Sequence, residues 1–333
     1  MRPQATSPGT AIESKIRRAL PRLWAWYRKN RRPLPWRTRP TAYRTAVAEF
    51  MCQQTRITTV IPYYRRWMQA FPGWDRLARA SFPRVLRMWE GLGYYRRARF
   101  LHALAKAVVR LPGKDLPSNP EVLRRLPGIG DYTAGAIASI AFGKPAPAFD
   151  GNVARVLGRL AARHGKSPDL AALRALAGRL VPRRNAGLHN QALMELGALV
   201  CLPGNPHCST CPFQMSCPSS RKRPDPCRPK SAPSRQQENI LVVRRGNRIW
   251  LTQTHPQDRW QDLSFLPTSA TRPRGNPWTR ISYPFTRYVV HAAVFLTTRP
   301  PAGIKGKWMA PAELRRVTLP APHRKILGRL GFD

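Results

Sequence analysis

Apolar residues recur at helical spacing through most of the chain from residue 12 to about residue 217. Clear stretches begin at Ile16, Leu101 and Ala192, where apolar positions return every three to four residues. Asn119-Pro120 is typical of a helix start, because proline is tolerated at the first helical position. We therefore predict a mainly α-helical region, with breaks where Pro and Gly cluster, at residues 32–35, 71–73, 91–93, 111–113 and 143–147.

A different pattern follows residue 217. Residues 218–235 are basic and proline-rich without periodicity, which predicts an exposed linker. The apolar runs after it are shorter. They predict a hairpin of Ile240–Val243 with Ile249–Thr252, a further strand at Tyr288–Thr298 and a closing helix at Lys325–Leu330. Because 333 residues exceed the usual size of a single core, we expect a helical domain followed by a small α+β domain.

The charge of the chain is far from balanced. Lysine and arginine number 58 against 16 aspartates and glutamates, a formal net charge of +42. Such a surface attracts a polyanion, for which nucleic acid is the first candidate and an anionic membrane or a ribosome the alternatives. Met1–Thr10 lacks the apolar core of a signal peptide, and no stretch approaches the roughly 20 apolar residues of a spanning helix. We expect a soluble intracellular protein without a membrane partner.

Four of the six cysteines crowd into one short stretch, with the spacing Cys201-x6-Cys208-x2-Cys211-x5-Cys217. Such crowding is not typical of a disulfide framework. Four thiolates at this spacing suit either a structural zinc ion or a [4Fe–4S] cluster, and four unliganded thiols are the weaker alternative. Cys52 lies in an apolar run, and we expect it to be a small buried residue.

Residues 126–136 are typical of a helix end, a glycine turn and a new helix. Gly128 and Gly130 permit backbone conformations that are closed to other residues. They also let a phosphate approach the amides at the start of the next helix, where the helix dipole favours an anion. The turn is therefore a candidate site for a DNA phosphate, and an ordinary corner between two helices is the alternative.

Acids are scarce, so the positions of two of them are informative. Glu49 is the only charge in the run from Ala46 to Cys52, and a carboxyl on such an apolar helix has a raised pKa that suits it to donate a proton. Asp150 precedes a helix, which we expect it to cap and which would keep it ionised near neutral pH. One protonated and one ionised carboxyl form the pairing that cleaves glycosidic bonds. An exposed Glu49 and a purely structural cap are the alternatives.

Five segments between residues 20 and 217 resemble the MutY-type adenine DNA glycosylases of the endonuclease III superfamily: Leu34–Arg37, Glu49–Arg56, Gly91–Tyr95, Asp150–Val153 and Asn190–Gly197. The cysteine spacing resembles the iron–sulfur loop of that superfamily, and the glycine turn resembles its helix-hairpin-helix. The resemblance implies a [4Fe–4S] cluster rather than zinc, and a monovalent cation at the turn. It also implies a catalytic region at residues 1–217, which consists of a six-helix barrel at about 38–143 and a cluster domain at 12–37 and 144–217. A Nudix-like domain would follow at 236–333.

The same resemblance implies a role for each site residue. Glu49 would protonate adenine at N7, and Asp150 would stabilise the sugar cation. Relatives that also cut the strand carry a Schiff-base lysine where this chain has Tyr132, so we expect base removal without efficient strand cleavage. Tyr132 and Asn152 would support the sugar cation. The adenine pocket would be lined by Arg32, Trp36 and Glu195. Gln54 and Tyr94 would insert as a wedge into the base stack.

The C-terminal part departs from the family in the loop that reads 8-oxoguanine. Phe285-Thr286-Arg287 stands where the family has Phe-Ser-His, so Thr286 keeps a hydroxyl and Arg287 replaces an imidazole. Arg287 can donate hydrogen bonds to a lesion base, or it can bind backbone phosphate alone. Glu313 is the only glutamate after residue 244, so the glutamate cluster of a Nudix hydrolase is missing.

The resulting hypothesis is a monofunctional glycosylase of base excision repair that removes adenine opposite 8-oxoguanine or G in double-stranded DNA. We expect a monomer in the cytoplasm that associates with the nucleoid through DNA. One alternative is a related glycosylase that removes thymine or uracil opposite G. The other is a non-catalytic DNA-binding protein that a metal stabilises.

Overall fold

The computed structural model describes residues 8–162, 166–220, 234–253, 263–285 and 288–332, with side chains from residue 11 onward. The chain forms two compact units, one of residues up to 79 with residues 100–228, and one of residues 80–99 with residues 229–333. Residues 80–99 therefore pack with the C-terminal part of the chain, although the family resemblance places them in the six-helix barrel. The domain boundaries drawn from the sequence stay a prediction.

The described residues before 200 form α-helices almost throughout, as the sequence pattern predicts. A short 3-10 helix at Pro35–Arg37 separates the first two α-helices. The α-helices are α1 (Pro8–Asn30), α2 (Ala42–Cys52), α3 (Ile57–Ala70), α4 (Trp74–Arg79), α5 (Phe82–Trp89), α6 (Arg96–Val108), α7 (Pro120–Leu123), α8 (Asp131–Ile140), α9 (Gly151–Leu160), α10 (Leu170–Leu180) and α11 (Ala186–Leu199).

Helix starts follow local sequence chemistry. The side chain of Asn119 accepts a hydrogen bond of 2.8 Å from the amide of Glu121 at the start of α7, and Pro120 is the first helical residue, which confirms the predicted start. Asp169 accepts a 2.7 Å bond from the amide of Ala172 and caps α10 in the same way. The capping residues thus satisfy amides that the helix itself leaves without a partner.

The first unit has a core where α1, α9, α10 and α11 meet. Leu23, Leu157 and Leu196 are fully buried there. Helix α2 packs against α3 and α8, and its residues from Thr45 to Met51 are all buried, which confirms the prediction that this helix is apolar nearly all round. Cys52 was expected to be buried but is only partly so, because it lies at the last position of α2, where the helix ends.

The second unit contains a sheet in the order β4-β5-β1-β2-β6, and β3 pairs with β1. The predicted hairpin is confirmed, since Val243 lies opposite Trp250 in an antiparallel pair. The first strand is longer than predicted because it pairs in parallel with β5 from Ser234 to Val243. The strands are β1 (Ser234–Arg245), β2 (Arg248–Thr252), β3 (Thr268–Ser269), β4 (Thr279–Phe285), β5 (Tyr288–Thr297) and β6 (Gly306–Met309).

Two helices complete the second unit, α12 (Pro311–Leu314) and α13 (Ala321–Gly328). The closing helix was predicted at Lys325–Leu330, but it begins earlier because Pro320 occupies the N-cap position. Strands and helices together confirm a small α+β domain after the helical region. Among the described residues, no helix combines the length and the apolar character that crossing a membrane requires.

Candidate active site and cysteine loop

Glu49 lies near the end of α2, with 8% of its surface exposed. Burial among apolar side chains raises the pKa of its carboxyl to about 7. The hydroxyl of Tyr132 donates a hydrogen bond that lowers this pKa, whereas the negative charge of Asp150 raises it. The predicted proton-donating character of Glu49 therefore matches its surroundings.

Tyr132 lies in the first turn of α8, which packs against α2. Desolvation raises the pKa of Tyr132 well above its ordinary value, and the negative charges of Glu49 and Asp150 add to that rise. The phenol consequently keeps its proton and remains a hydrogen-bond donor to the Glu49 carboxyl.

Asp150 is the N-cap of α9, as predicted. Its Oδ1 accepts a 2.8 Å bond from the amide of Val153, and its Oδ2 accepts a 3.1 Å bond from Nδ2 of Asn152. Burial raises the pKa of Asp150 above its ordinary value, while these two hydrogen bonds lower it. Burial is the largest influence on this pKa, and the expectation that Asp150 is ionised near neutral pH stays a prediction.

Asn152 is held from its other side by Arg155. Nη2 of Arg155 donates bonds of 2.7 Å to Oδ1 of Asn152 and 2.7 Å to the carbonyl of Gly197, and its Nε donates a 2.8 Å bond to the carbonyl of Cys201. A Cβ added at Gly197 would lie 2.6 Å from the Cβ of Asn152, so only glycine lets α11 approach α9 this closely. Arg155 lies one turn after Asp150, but its sequence position alone does not indicate these contacts.

Glu195 is almost completely buried in α11, with 1% of its surface exposed. Arg32 donates to it through its backbone amide, Nε and Nη2 at 2.8–2.9 Å, and Arg37 donates through Nη1 and Nη2 at 3.1 and 2.8 Å. Burial raises the pKa of Glu195, but the two guanidinium groups outweigh it and lower the pKa to about 2. Arg32 and Glu195 were assigned to this site from the family resemblance. The part taken by Arg37 was missed, because Arg37 lies 158 positions from Glu195 and no local pattern indicates the contact.

Trp36 lies in the 3-10 helix between these two arginines. Its ring meets that of Tyr64 edge to face, with 5.1 Å between the ring centroids. Glu49, the predicted proton donor, and the three residues assigned to the sugar cation and its support share one part of the first unit, where Glu49, Tyr132 and Asp150 interact electrostatically and Asn152 bonds to Asp150.

The two residues assigned to the wedge share an uncommon backbone conformation. Gln54, in the first unit, has φ of 56°, and Tyr94, in the second unit, has φ of 48°. Both side chains are exposed. Non-glycine residues rarely occupy this left-handed region, and such strain concentrates at functional positions.

The glycine turn is only partly as predicted. Gly128 has φ of 74°, and an added Cβ would lie 2.6 Å from the Cβ of Phe100 and 2.9 Å from Cε1 of Phe50. Gly130 has φ of −93°, a conformation open to any residue, so its predicted special backbone geometry was wrong. A Cβ at Gly130 would meet nothing within 4 Å, which leaves space beside the first amides of α8.

The four clustered cysteines line one pocket together with Arg159, Val200 and Pro206. Nη1 of Arg159 lies 3.2 Å from Sγ of Cys201 and also donates a 2.8 Å bond to the carbonyl of Leu202. Burial raises the pKa of Cys211 to about 11. Within the described ranges, no three His, Cys, Asp or Glu side chains converge as the ligands of one metal ion. The observation that bears on a cluster of several metal ions is therefore the pocket that all four cysteines line.

Thr286 and Arg287, assigned to reading the base opposite adenine, lie outside the described residues. Phe285 ends β4 and Tyr288 begins β5, and their rings lie 5.4 Å apart between centroids. The recognition role of the two intervening residues stays a prediction.

Residues 47–182 match the family described as HhH-GPD superfamily base excision DNA repair protein. A solved structure of a thermostable thymine-DNA glycosylase is similar with a TM-score of 0.58 at 26% identity, over 63% of this chain and 98% of that chain. Together with the glycine turn and the pair of buried carboxyls, these matches define the class of the helical region as the helix-hairpin-helix fold of base excision repair proteins.

Curated relatives narrow the class. The adenine DNA glycosylase of Mus musculus is 38% identical over 325 residues, which cover 92% of this chain and 63% of the mouse protein. The adenine DNA glycosylase of Buchnera aphidicola subsp. Schizaphis graminum (strain Sg) is 31% identical over 263 residues, which cover 77% of this chain and 76% of that relative. The chain belongs to the adenine DNA glycosylase family. It spans less than two thirds of the length of the mouse relative.

Proposed function

We propose that the protein hydrolyses the N-glycosidic bond of adenine in DNA, where the adenine is opposite 8-oxoguanine or G. The observation that carries the proposal is the buried carboxyl of Glu49, whose pKa of about 7 keeps much of it protonated at neutral pH, beside Tyr132 and beside Asp150, the N-cap of α9. Membership of the adenine DNA glycosylase family supports the choice of adenine.

In the proposed reaction, Glu49 donates its proton to N7 of the extruded adenine, which turns the base into a better leaving group. The glycosidic bond then breaks, its electron pair stays with the base, and positive charge develops on the sugar. The ionised Asp150, oriented by Asn152, stabilises that charge until water adds to the sugar carbon and gives up one proton to the Glu49 carboxylate. The hydroxyl of Tyr132 holds the Glu49 carboxyl in place throughout.

The ion cluster around Glu195 supports the adenine pocket rather than the proton transfer. Its pKa of about 2 keeps Glu195 ionised at every pH at which the protein is expected to work, so it is not a proton donor. It fixes Arg32 and the segment that carries Trp36, two residues proposed to line the pocket. We expect this cluster to act by pre-organising the site.

Tyr132 also sets the expected products. A tyrosine cannot form the Schiff base through which a lysine would lead to strand cleavage. The proposed enzyme therefore leaves an abasic site in an intact strand.

We propose a [4Fe–4S] cluster as the resident group of the cysteine loop. Cys201, Cys208, Cys211 and Cys217 would hold it, since all four line one pocket, and the guanidinium of Arg159 would offset negative charge there. The cluster, when bound, would tie the loop that follows α11 into one structure. The carbonyls of the turn that contains Gly128 would hold a monovalent cation beside a DNA phosphate, and we expect a monomeric, DNA-associated protein of the cytoplasm.

The proposal is tested with duplexes that carry one A opposite 8-oxoguanine, G or T, and one T opposite G. Each is incubated with the protein and analysed with and without alkali. We expect adenine release opposite 8-oxoguanine and G, strand breaks only after alkali, and no release by the Glu49→Gln variant. Release of thymine opposite G without release of adenine would show that the substrate is a mismatched thymine and not adenine. Release of no base would leave only a DNA-binding role.

A further inference from the structure

The turn that carries Tyr94 is held in a strained shape by its own neighbours. Gly91, Gly93 and Tyr94 all have positive φ, at 98°, 71° and 48°. Nε1 of Trp89 donates a 3.1 Å bond to the carbonyl of Gly93, and Nη2 of the buried Arg97 donates a 3.0 Å bond to the same oxygen. The turn therefore presents a side chain that is 41% exposed on a backbone with few alternative conformations.

The residue immediately before this turn binds the C-terminal part of the chain within the second unit. Glu90 ends α5, and its Oε1 accepts a 2.9 Å bond from Nε of Arg324 in α13. The other two nitrogens of that guanidinium donate to the carbonyls of Leu314 at 2.9 Å and Val317 at 2.6 Å. Arg324 thus joins α5 to the segment between α12 and α13 through one planar group.

A second link runs in parallel. The hydroxyl of Tyr95 donates a 3.4 Å bond to the carbonyl of Leu319 and accepts a 3.4 Å bond from the amide of Gly91. Arg87 adds a bond from α5 to the carbonyl of Arg315. Tyr95 is only partly buried, and its hydroxyl bridges the turn and the C-terminal segment.

We propose that Glu90 and Arg324 are positioning residues for base extrusion, through which the C-terminal helices hold the turn of Tyr94 in the shape that inserts into the base stack. The inference rests on the proposed function, since it assumes that Tyr94 is a wedge. The C-terminal unit then has a role beyond reading the opposite base. A strained turn persists only where its surroundings fix it, and these contacts fix both of its ends.

The test separates extrusion from binding and from chemistry. The probe is a duplex with A opposite G and 2-aminopurine beside that A, whose fluorescence rises when the stack opens. All proteins carry Glu49→Gln, so that no cleavage occurs. In that background we expect Glu90→Gln to lower the fluorescence change about threefold to fivefold, because the ion pair with Arg324 is mostly buried, while the Kd measured by anisotropy changes less than about twofold. We expect Arg324→Lys, which keeps the charge, to lower it less.

Two controls bracket the result. Asp75→Asn makes the same kind of change in an exposed ion pair with Arg79, and we expect it to match the background protein. Tyr94→Ala removes the wedge, and we expect it to give the smallest fluorescence change. Thermal melting of Glu90→Gln should match that of Asp75→Asn within about 1 °C, which separates positioning from general loss of stability.

Each outcome is decisive. If Tyr94→Ala abolishes the signal while Glu90→Gln and Arg324→Lys keep it in full, the positioning role is overturned and the proposed function stands. If the signal of Tyr94→Ala equals that of the background protein, or the background protein gives none, the wedge assignment itself fails and the inference fails with it.

Discussion

Two buried glutamates in the same unit are held in opposite states. Glu49, on α2, is enclosed by apolar side chains, and burial raises its pKa to about 7. Glu195, on α11, is buried still more completely, yet Arg32 and Arg37 lower its pKa to about 2. Burial alone therefore does not decide the charge of a carboxyl; the partners that replace water do.

The comparison also separates chemistry from architecture. A carboxyl near its pKa at neutral pH can give up a proton, which is the task proposed for Glu49. A carboxyl that is always ionised and bound by two guanidinium groups has no proton to give, and it can only hold other groups in place.

The largest effect is expected from Glu49→Gln, which keeps the shape of the side chain and removes its proton donor. We expect the single-turnover rate of adenine release to fall about 10³–10⁴-fold, with duplex affinity nearly unchanged. The matched control is Glu13→Gln, the same change at a glutamate of α1 that pairs with Arg17 and Arg179. A single-turnover rate of Glu49→Gln within tenfold of the wild-type rate would show that Glu49 is not the proton donor.

Glu195→Gln should act on stability instead. The change leaves two guanidinium groups without their carboxylate, and we expect a loss of about 3 kcal/mol in the free energy of unfolding measured with urea. Glu13→Gln, at a more exposed pair, should cost at most about 1 kcal/mol. Equal costs at the two positions would show that the buried cluster adds no special stability.

The two glutamates should also differ in the sign of their pH dependence. Because the folded-state pKa of Glu195 is lowered, its stabilisation is present above the unfolded-state pKa of roughly 4.3 and is lost as the pH falls toward 2. Because that of Glu49 is raised, its ionisation destabilises the fold as the pH rises from about 4 through 7. Urea unfolding at pH 8 should therefore show Glu49→Gln more stable than wild type and Glu195→Gln less stable.

The glycine turn repeats the contrast on a smaller scale. Gly128→Ala places a Cβ against Phe100 and Phe50 at positive φ, and we expect it to cost about 2–3 kcal/mol. Gly130→Ala has an ordinary φ and open space, so unfolding should change by less than about 0.5 kcal/mol while DNA affinity falls. Thermal melting measures the stability of the two variants, and anisotropy measures their DNA affinity. Equal melting temperatures would contradict the expected difference between Gly128 and Gly130.

The smallest effect is expected from Tyr132→Phe. The tyrosine hydroxyl lowers the pKa of Glu49, so its removal should raise that pKa. Wild-type rates should fall as the pH rises through about 7, because the protonated form of Glu49 is then lost. In Tyr132→Phe this alkaline limb should move to higher pH, as pH profiles of single-turnover rates would show. A shift to lower pH would mean that the hydrogen bond favours the neutral carboxyl.

The sequence predicts one side of this comparison better than the other. Glu49 is recognisable because it is the only charge in the apolar run from Ala46 to Cys52, and Asp150 because a cap position is local. The clamp on Glu195 joins residues 158 positions apart, so no local pattern indicates that Arg37 takes part. Gly128 and Gly130 look alike in sequence, and only the packing of Phe100 and the backbone path distinguish them.

The packing of residues 80–99 with the C-terminal part is a further feature that periodicity could not indicate. Helical spacing identifies α5 as a helix but does not indicate which part of the chain packs against it. The Glu90–Arg324 pair spans 234 positions, and neither residue stands out locally in such a basic chain. Long-range pairings of this kind come from the fold as a whole.

The most direct test of the account is infrared difference spectroscopy at pH 6, which detects the carbonyl band of a protonated carboxyl. Wild type is compared with Glu49→Gln and with Glu195→Gln. We expect a protonated-carboxyl band that disappears in Glu49→Gln and persists in Glu195→Gln, because the pKa of Glu49 is about 7 and that of Glu195 about 2. A band that persists in Glu49→Gln, or one that disappears in Glu195→Gln, would contradict the assignment of the proton donor.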